Sequence, residues 1–139
     1  MTKYALDASL FIDAFRNLDE EARLVDFHRQ FAPVQYLSVV VALELRAGAR
    51  TPAARARLQR HVVRPFEERG RIIVPGRLSW DLAGNAMAQL RPAPGRAFYN
   101  DVLIAASCRE HGVTLVTRNL RDFARINEVL PFDFVEAWP

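Results

Sequence analysis

The sequence predicts an α/β protein with a central parallel sheet in a three-layer α/β/α arrangement, and three observations carry that prediction. Short apolar or β-branched runs alternate along the chain with longer segments of helical periodicity. Glycine or proline closes most of the helical segments, at Pro33, Gly48 with Pro52, Gly70 and Gly112. The length of 139 residues suits one domain, residues 1–139, large enough to bury a core without disulfides or structural metal.

Tyr4 to Leu6 is an apolar stretch that stops at Asp7, so it is expected to form a short buried strand with a carboxylate at its end. In open α/β sheets ligands bind beyond the carboxyl ends of the strands, which makes Asp7 a candidate for chemistry. It is equally well placed as a helix cap, because a helix starts near Ser9 and Asp is a good N-cap. Leu10, Phe11 and Phe15 of that helix are expected to pack onto the sheet. Asp19-Glu20-Glu21 opens a second helix, to Phe31, with acids in the first turn as the helix dipole favours.

Tyr36 to Ser38 is the next predicted strand, and Val39 to Ala49 the helix after it. Glu44 follows Val40 and Val41 by four and three residues and so shares their apolar face. From Ala53 to about Arg69 the spacing predicts one long helix, apolar at Ala54, Leu58, Val62 and Phe66, with Arg57, Arg60 and Arg64 on another face and a kink or stop at Pro65. Arg71 to Val74 is a β-branched strand. Ser79 is a good cap for a helix through Leu90 with a stripe of Leu82, Ala86 and Leu90.

Arg91 to Arg96 has loop composition. The helix after it sets Asp101 in line with Ile104, Ala105 and Cys108, a second acid on an apolar face. Val113 to Thr117 is a strand, a short helix follows Asn119, and Pro131 to Val135 supplies an edge strand. Asn119 with Asp122 three residues later is close to a capping box.

Composition excludes several classes. A single cysteine, Cys108, permits no intrachain disulfide and fits a packing residue in a reducing compartment, and the three histidines share no metal-ligand spacing. No apolar run is long enough to span a membrane, and Asp7 and Asp13 interrupt any signal-peptide core, so a cytoplasmic protein is expected. The formal charge is +3 and the basic residues are arginines apart from Lys3, a weak pointer to nucleic acid.

Asp7, Glu44 and Asp101 therefore share one pattern: acids at a strand end or on apolar helix faces, where solvent is scarce. Brought together they would repel one another unless some stay protonated or a cation gathers them. An all-carboxylate set without histidine or thiolate suits Mg²⁺ or Mn²⁺.

The motifs LDAS at Asp7, SVVVALELRAG around Glu44, NDVLIAAS at Asp101 and LVTRNLRDF around Asn119 stand in the order and spacing of PIN domains. The chain resembles the VapC-type toxin ribonucleases of toxin–antitoxin pairs over essentially its whole length. That resemblance implies a Mg²⁺- or Mn²⁺-dependent endoribonuclease with an RNA substrate, a cognate antitoxin that silences it, and a homodimer. It assigns Asp7, Glu44 and Asp101 to the three principal acidic positions, with Asp7 and Asp101 as metal ligands and Glu44 as a ligand or the residue that orients water.

At the fourth position the chain has Asn119 where many relatives carry an acid. Either Asn119 offers a neutral oxygen or Asp122 completes the site, unless Asp122 mainly serves the cap. Thr117 and Ser9 would supply supporting hydrogen bonds. Arg57, Arg60 and Arg64 either follow an RNA backbone or form a solvated or protein-contacting face. Two rivals remain. Phospho-accepting α/β proteins also use an acid after the first strand, but bring a lysine to the phosphate, and Lys3 lies at the strand's other end. A PIN-like module that only binds RNA or protein would not need all three acids.

Overall fold

The computed structural model describes residues 1–139. Five strands form one parallel sheet in the order β3-β2-β1-β4-β5, with β1 at Tyr4–Leu6, β2 at Gln35–Ser38, β3 at Ile72–Ile73, β4 at Thr114–Thr117 and β5 at Phe134–Glu136. In register, Ala5 lies opposite Tyr36 on one side and Leu115 on the other. The chain builds outward from β1 to β3, returns across the sheet, and builds outward again through β4 and β5. The strand order thus reverses at β1, the topological switch where α/β sheets open a crevice at their carboxyl edge.

Helices supply every crossover. Helices α1 (Ala8–Arg16) and α2 (Leu18–Phe31) join β1 to β2, and α3 (Val39–Gly48), α4 (Pro52–Leu58) and α5 (Arg64–Glu68) join β2 to β3. Helices α6 (Arg77–Gln89) and α7 (Tyr99–His111) lead back to β4, and α8 (Leu120–Asn127) leads to β5. Right-handed crossovers put the helices before β3 on one face and those after it on the other, which gives the expected three layers. Phe11, Leu37, Ile104, Leu115 and Phe123 are fully buried in the core between them, and Cys108 packs there as a small apolar residue.

Four local expectations differ from the structure. Phe15 is 60% exposed, so the packing face of α1 is carried by Leu10, Phe11 and Ala14. The long helix predicted from Ala53 is interrupted by a wide π turn at Gln59–Val63, where the Arg64 N–H donates to the Gln59 carbonyl. Pro65 has no N–H and its ring would press on the carbonyl four residues earlier; the wide turn accommodates it without ending the helical path. Ser79 does not cap α6, which begins two residues earlier after Gly76. The acceptor is supplied across space by Glu110 of α7, whose Oε1 takes the Gly76 N–H at 2.9 Å and also the Ser79 hydroxyl. Asn119 precedes α8 but makes no side-chain cap to it, so the anticipated capping box is not formed. Gly112 ends α7 as expected, in the left-handed conformation (φ 64°) that glycine adopts without strain.

Candidate functional site

Topology explains how acids far apart in sequence meet. Asp7 directly follows β1 at the switch point. Helix α7 descends antiparallel to the sheet before β4 rises, so its first turn, which holds Asp101, lies at the carboxyl edge. Helix α8 leaves β4 at that same edge with Asp122 in its first turn, and α3 leaves β2 there with Glu44 in its middle.

Asp7 is held most closely. It is 6% exposed, its Oδ1 accepts the Ala8 N–H at 2.8 Å, and its Oδ2 accepts the Thr117 hydroxyl at 2.9 Å. The cap and the site position are therefore one arrangement, since one oxygen starts α1 while the other faces β4. Thr117 is fully buried, and its Oγ1 also accepts the Asn119 N–H at 3.0 Å. Asn119 in turn donates from Nδ2 to Asp122 Oδ2 at 3.0 Å. A continuous chain of hydrogen bonds thus runs from Asp7 through Thr117 and Asn119 to Asp122.

The electrostatics mark the same spot. Burial raises the Asp7 carboxyl above its usual range, against the bonds from Thr117, Ala8 and the Ser9 hydroxyl, which pull it down. Glu44 is raised by burial and by the charge of Asp7. Asp101 is pushed up to about 7, by burial first and then by Asp7, Glu44 and Asp122. Glu44 thus senses Asp7, and Asp101 senses Asp7, Glu44 and Asp122, in a poorly solvated crevice where like charge opposes their ionisation. Oε1 of Glu44 is buried and has no hydrogen-bond partner, a costly state for a carboxylate oxygen.

No three acidic, histidine or cysteine side chains are already drawn together at metal-binding distance. Asp7, Glu44, Asp101 and Asp122 are neighbours in field rather than a closed ligand shell. Their all-oxygen donor set, their mutual repulsion and the orphan oxygen of Glu44 nevertheless fit a hard divalent cation.

Arg57, Arg60 and Arg64 are exposed on the α4–α5 arm and take part in none of the ion pairs of the structure. One residue in the Asn119 motif carries a contact the sequence does not suggest. Arg118 pairs from Nη1 with Asp13 Oδ2 at 2.8 Å and from Nη2 with Glu20 Oε2. Its partners lie on α1 and α2, about a hundred residues earlier, so no local pattern announces them.

Residues 4–129 match the family model for the PIN domain. The chain belongs to the PIN-domain family. At 25% identity it resembles a chain of DNA-bound VapBC from Salmonella typhimurium, with a TM-score of 0.74 and 98% of each chain covered. The fold is shared with FitAcB from Neisseria gonorrhoeae (20% identity, TM-score 0.73, 97% of this chain and 98% of that one). It is shared too with VapBC2 from Rickettsia felis, a structure that contains a promoter DNA fragment (20% identity, TM-score 0.68, 99% of this chain and 100% of that one). No curated protein matches the chain in sequence.

Proposed function

We propose that this chain is a metal-dependent endoribonuclease, the toxin of a type II toxin–antitoxin pair, and that it hydrolyses RNA phosphodiester bonds at the Asp7–Glu44–Asp101 crevice. The observation that carries the reading is the set of three carboxylates from β1, α3 and α7, Asp7 buried and Glu44 and Asp101 half-buried, with like charge acting among them and one oxygen of Glu44 unpartnered. Such an arrangement is unfavourable in an empty protein and becomes favourable around a hard cation.

Asp7 and Asp101 would hold Mg²⁺ or Mn²⁺ directly, and Glu44 directly or through water. A divalent ion in such a site neutralises the scissile phosphate and lowers the pKa of a bound water. The protein's own groups do the rest. Ala8 N–H and Thr117 Oγ1 fix the Asp7 rotamer, so that the carboxylate need not be ordered during reaction. Glu44, whose carboxylate is not tied up by any hydrogen bond at its buried Oε1, would orient the attacking water and accept its proton. Asn119 spends its amide N–H₂ on Asp122, which leaves its neutral oxygen as the group it could offer, while Asp122 adds negative charge beside Asp101. Ser9 supports Asp7 through its hydroxyl. Exposed Arg57, Arg60 and Arg64 provide cationic contacts to the RNA backbone.

By analogy with the VapBC complexes, a cognate antitoxin silences the toxin, and the toxin forms a homodimer. No helix is long and apolar enough to cross a membrane, and the reading places the protein in the cytoplasm with its RNA. The test is cleavage of RNA by pure protein after EDTA treatment. Mg²⁺ or Mn²⁺ should restore activity, while Ca²⁺, which is larger and less strict in geometry, should bind and support cleavage poorly. Cleavage undiminished in excess EDTA would overturn the metal mechanism. RNA or protein binding without cleavage under any of these ions would favour a non-catalytic module.

A further inference from the structure

The turn between β4 and α8 lies between two backbone anchors, the Ala137 N–H on the Thr117 carbonyl at 3.0 Å and the Phe123 N–H on the Asn119 carbonyl at 3.3 Å. Across that turn the Arg118 side chain reaches the other wall of the molecule, taking Asp13 of α1 and Glu20 of α2 with one guanidinium. The two neighbours of Arg118 are both members of the hydrogen-bond chain that starts at Asp7. Thr117 holds Asp7 Oδ2, and Asn119 holds Asp122.

We propose that Arg118 is a positioning residue: by clamping the end of β4 to α1 and α2 through Asp13 and Glu20, it fixes Thr117 and Asn119, and through Thr117 the Asp7 carboxylate, in the geometry cleavage requires. This deepens the nuclease reading above and rests on it. Stability alone gives the clamp little to do. The paired side chains remain 21–42% exposed, and ion pairs at such positions contribute little to folding. Orientation is a different matter, because a planar guanidinium that engages two carboxylates on separate helices sets direction as well as distance. Small displacements of a metal-binding carboxylate or its hydrogen-bond partner are felt strongly in affinity and rate.

The test compares Arg118→Ala, Arg118→Lys and the double variant Asp13→Asn/Glu20→Gln, which removes the partners' charge and leaves the arginine. Three quantities are measured on the full chain: cleavage kinetics, Mn²⁺ affinity without RNA by calorimetry, and melting temperature. Arg118→Ala and the double variant should each lower kcat about 10- to 100-fold with KM little changed, and weaken Mn²⁺ by about 10-fold. Their melting temperatures should stay within a few degrees of wild type. Arg118→Lys should recover only part of the loss, since one ammonium does not span both acids.

Full rate and Mn²⁺ affinity in Arg118→Ala would overturn the proposal. So would a slow Arg118→Ala beside a fully active double variant, or a rise in KM with kcat intact, either of which would make the arginine an RNA contact. A large fall in melting temperature that accounts for the lost activity would reduce the clamp to a structural brace. Should wild-type protein cleave no RNA, the nuclease reading fails, and the Mn²⁺ comparison still decides the clamp.

Discussion

Replacing Asp101 by Asn separates what the site does for chemistry from what it does to the fold. The Asp101 carboxyl rises from its ordinary 3.8 to about 7, with burial the main cause and the charges of Asp7, Glu44 and Asp122 adding to it. A folded-state pKa above the unfolded one means that the native chain holds an extra proton through this window. The stability it brings is fully present below about pH 4 and is lost as the pH rises through 7. Each unit of pKa difference corresponds to about 1.4 kcal/mol, so an unscreened group would lose about 3 kcal/mol between pH 5 and pH 8. Water reaching a partly exposed carboxyl cuts this to about 1.5 kcal/mol, or about 5 °C in a chain of this length. Asparagine carries no charge to repel. In EDTA, Asp101→Asn should therefore melt about 5 °C above wild type at pH 8 and close to it at pH 5, while losing RNA cleavage at both. Thermal melts followed by circular dichroism from pH 5 to pH 8 make the measurement. A variant less stable than wild type at pH 8, or one whose advantage is the same at both ends, would refute the electrostatic reasoning.

Thr117→Val keeps the shape of a buried side chain but removes the donor to Asp7 Oδ2 and the acceptor of the Asn119 N–H. Urea unfolding should show a loss of about 1–3 kcal/mol from the groups left unpaired, together with slower cleavage; an unchanged midpoint would deny the hydroxyl its bridging role. On the α4–α5 arm, replacing Arg57, Arg60 and Arg64 with Gln should flatten the dependence of RNA affinity on salt, by about 0.7 in logarithmic slope for each single-strand phosphate that an arginine no longer neutralises. An unaltered slope in filter-binding titrations would remove this face from RNA recognition.

The fold was legible because its signals are local. Val113 to Thr117 and Tyr4 to Leu6 are short apolar runs beside strong helix boundaries, and Gly112 ends α7 by its own conformational freedom. The candidate acids were legible for a related reason: a carboxylate on an apolar face, as at Glu44 and Asp101, conflicts with its surroundings and shows in the spacing alone. What escaped is carried by contacts between distant segments. Ser79 looks like a cap until Glu110 arrives from α7 to serve the start of α6. The π turn before Pro65 answers a steric conflict that sequence rules express only as a kink or a stop. Asn119 and Asp122 have the spacing of a capping box, but the Thr117 hydroxyl takes the Asn119 N–H and the Asn119 amide binds the acid instead.

The hydrogen bonds around the crevice fall unevenly on the acids, and this suggests a division of labour. Asp7 has both oxygens occupied by donors that favour its charged form, and it is fixed where β1 meets α1. Glu44 and Asp101 lie on helix faces with burial and like charge against them, and one oxygen of Glu44 has nothing to bind. An evenly satisfied cluster would be stable when empty and would gain little from a cation. Here one carboxylate is rigid and two are electrostatically frustrated, so cation binding is favoured by relief of repulsion as well as by attraction. The frustration is tolerable because the remainder of the core is apolar and closely packed around Phe11, Ile104 and Phe123.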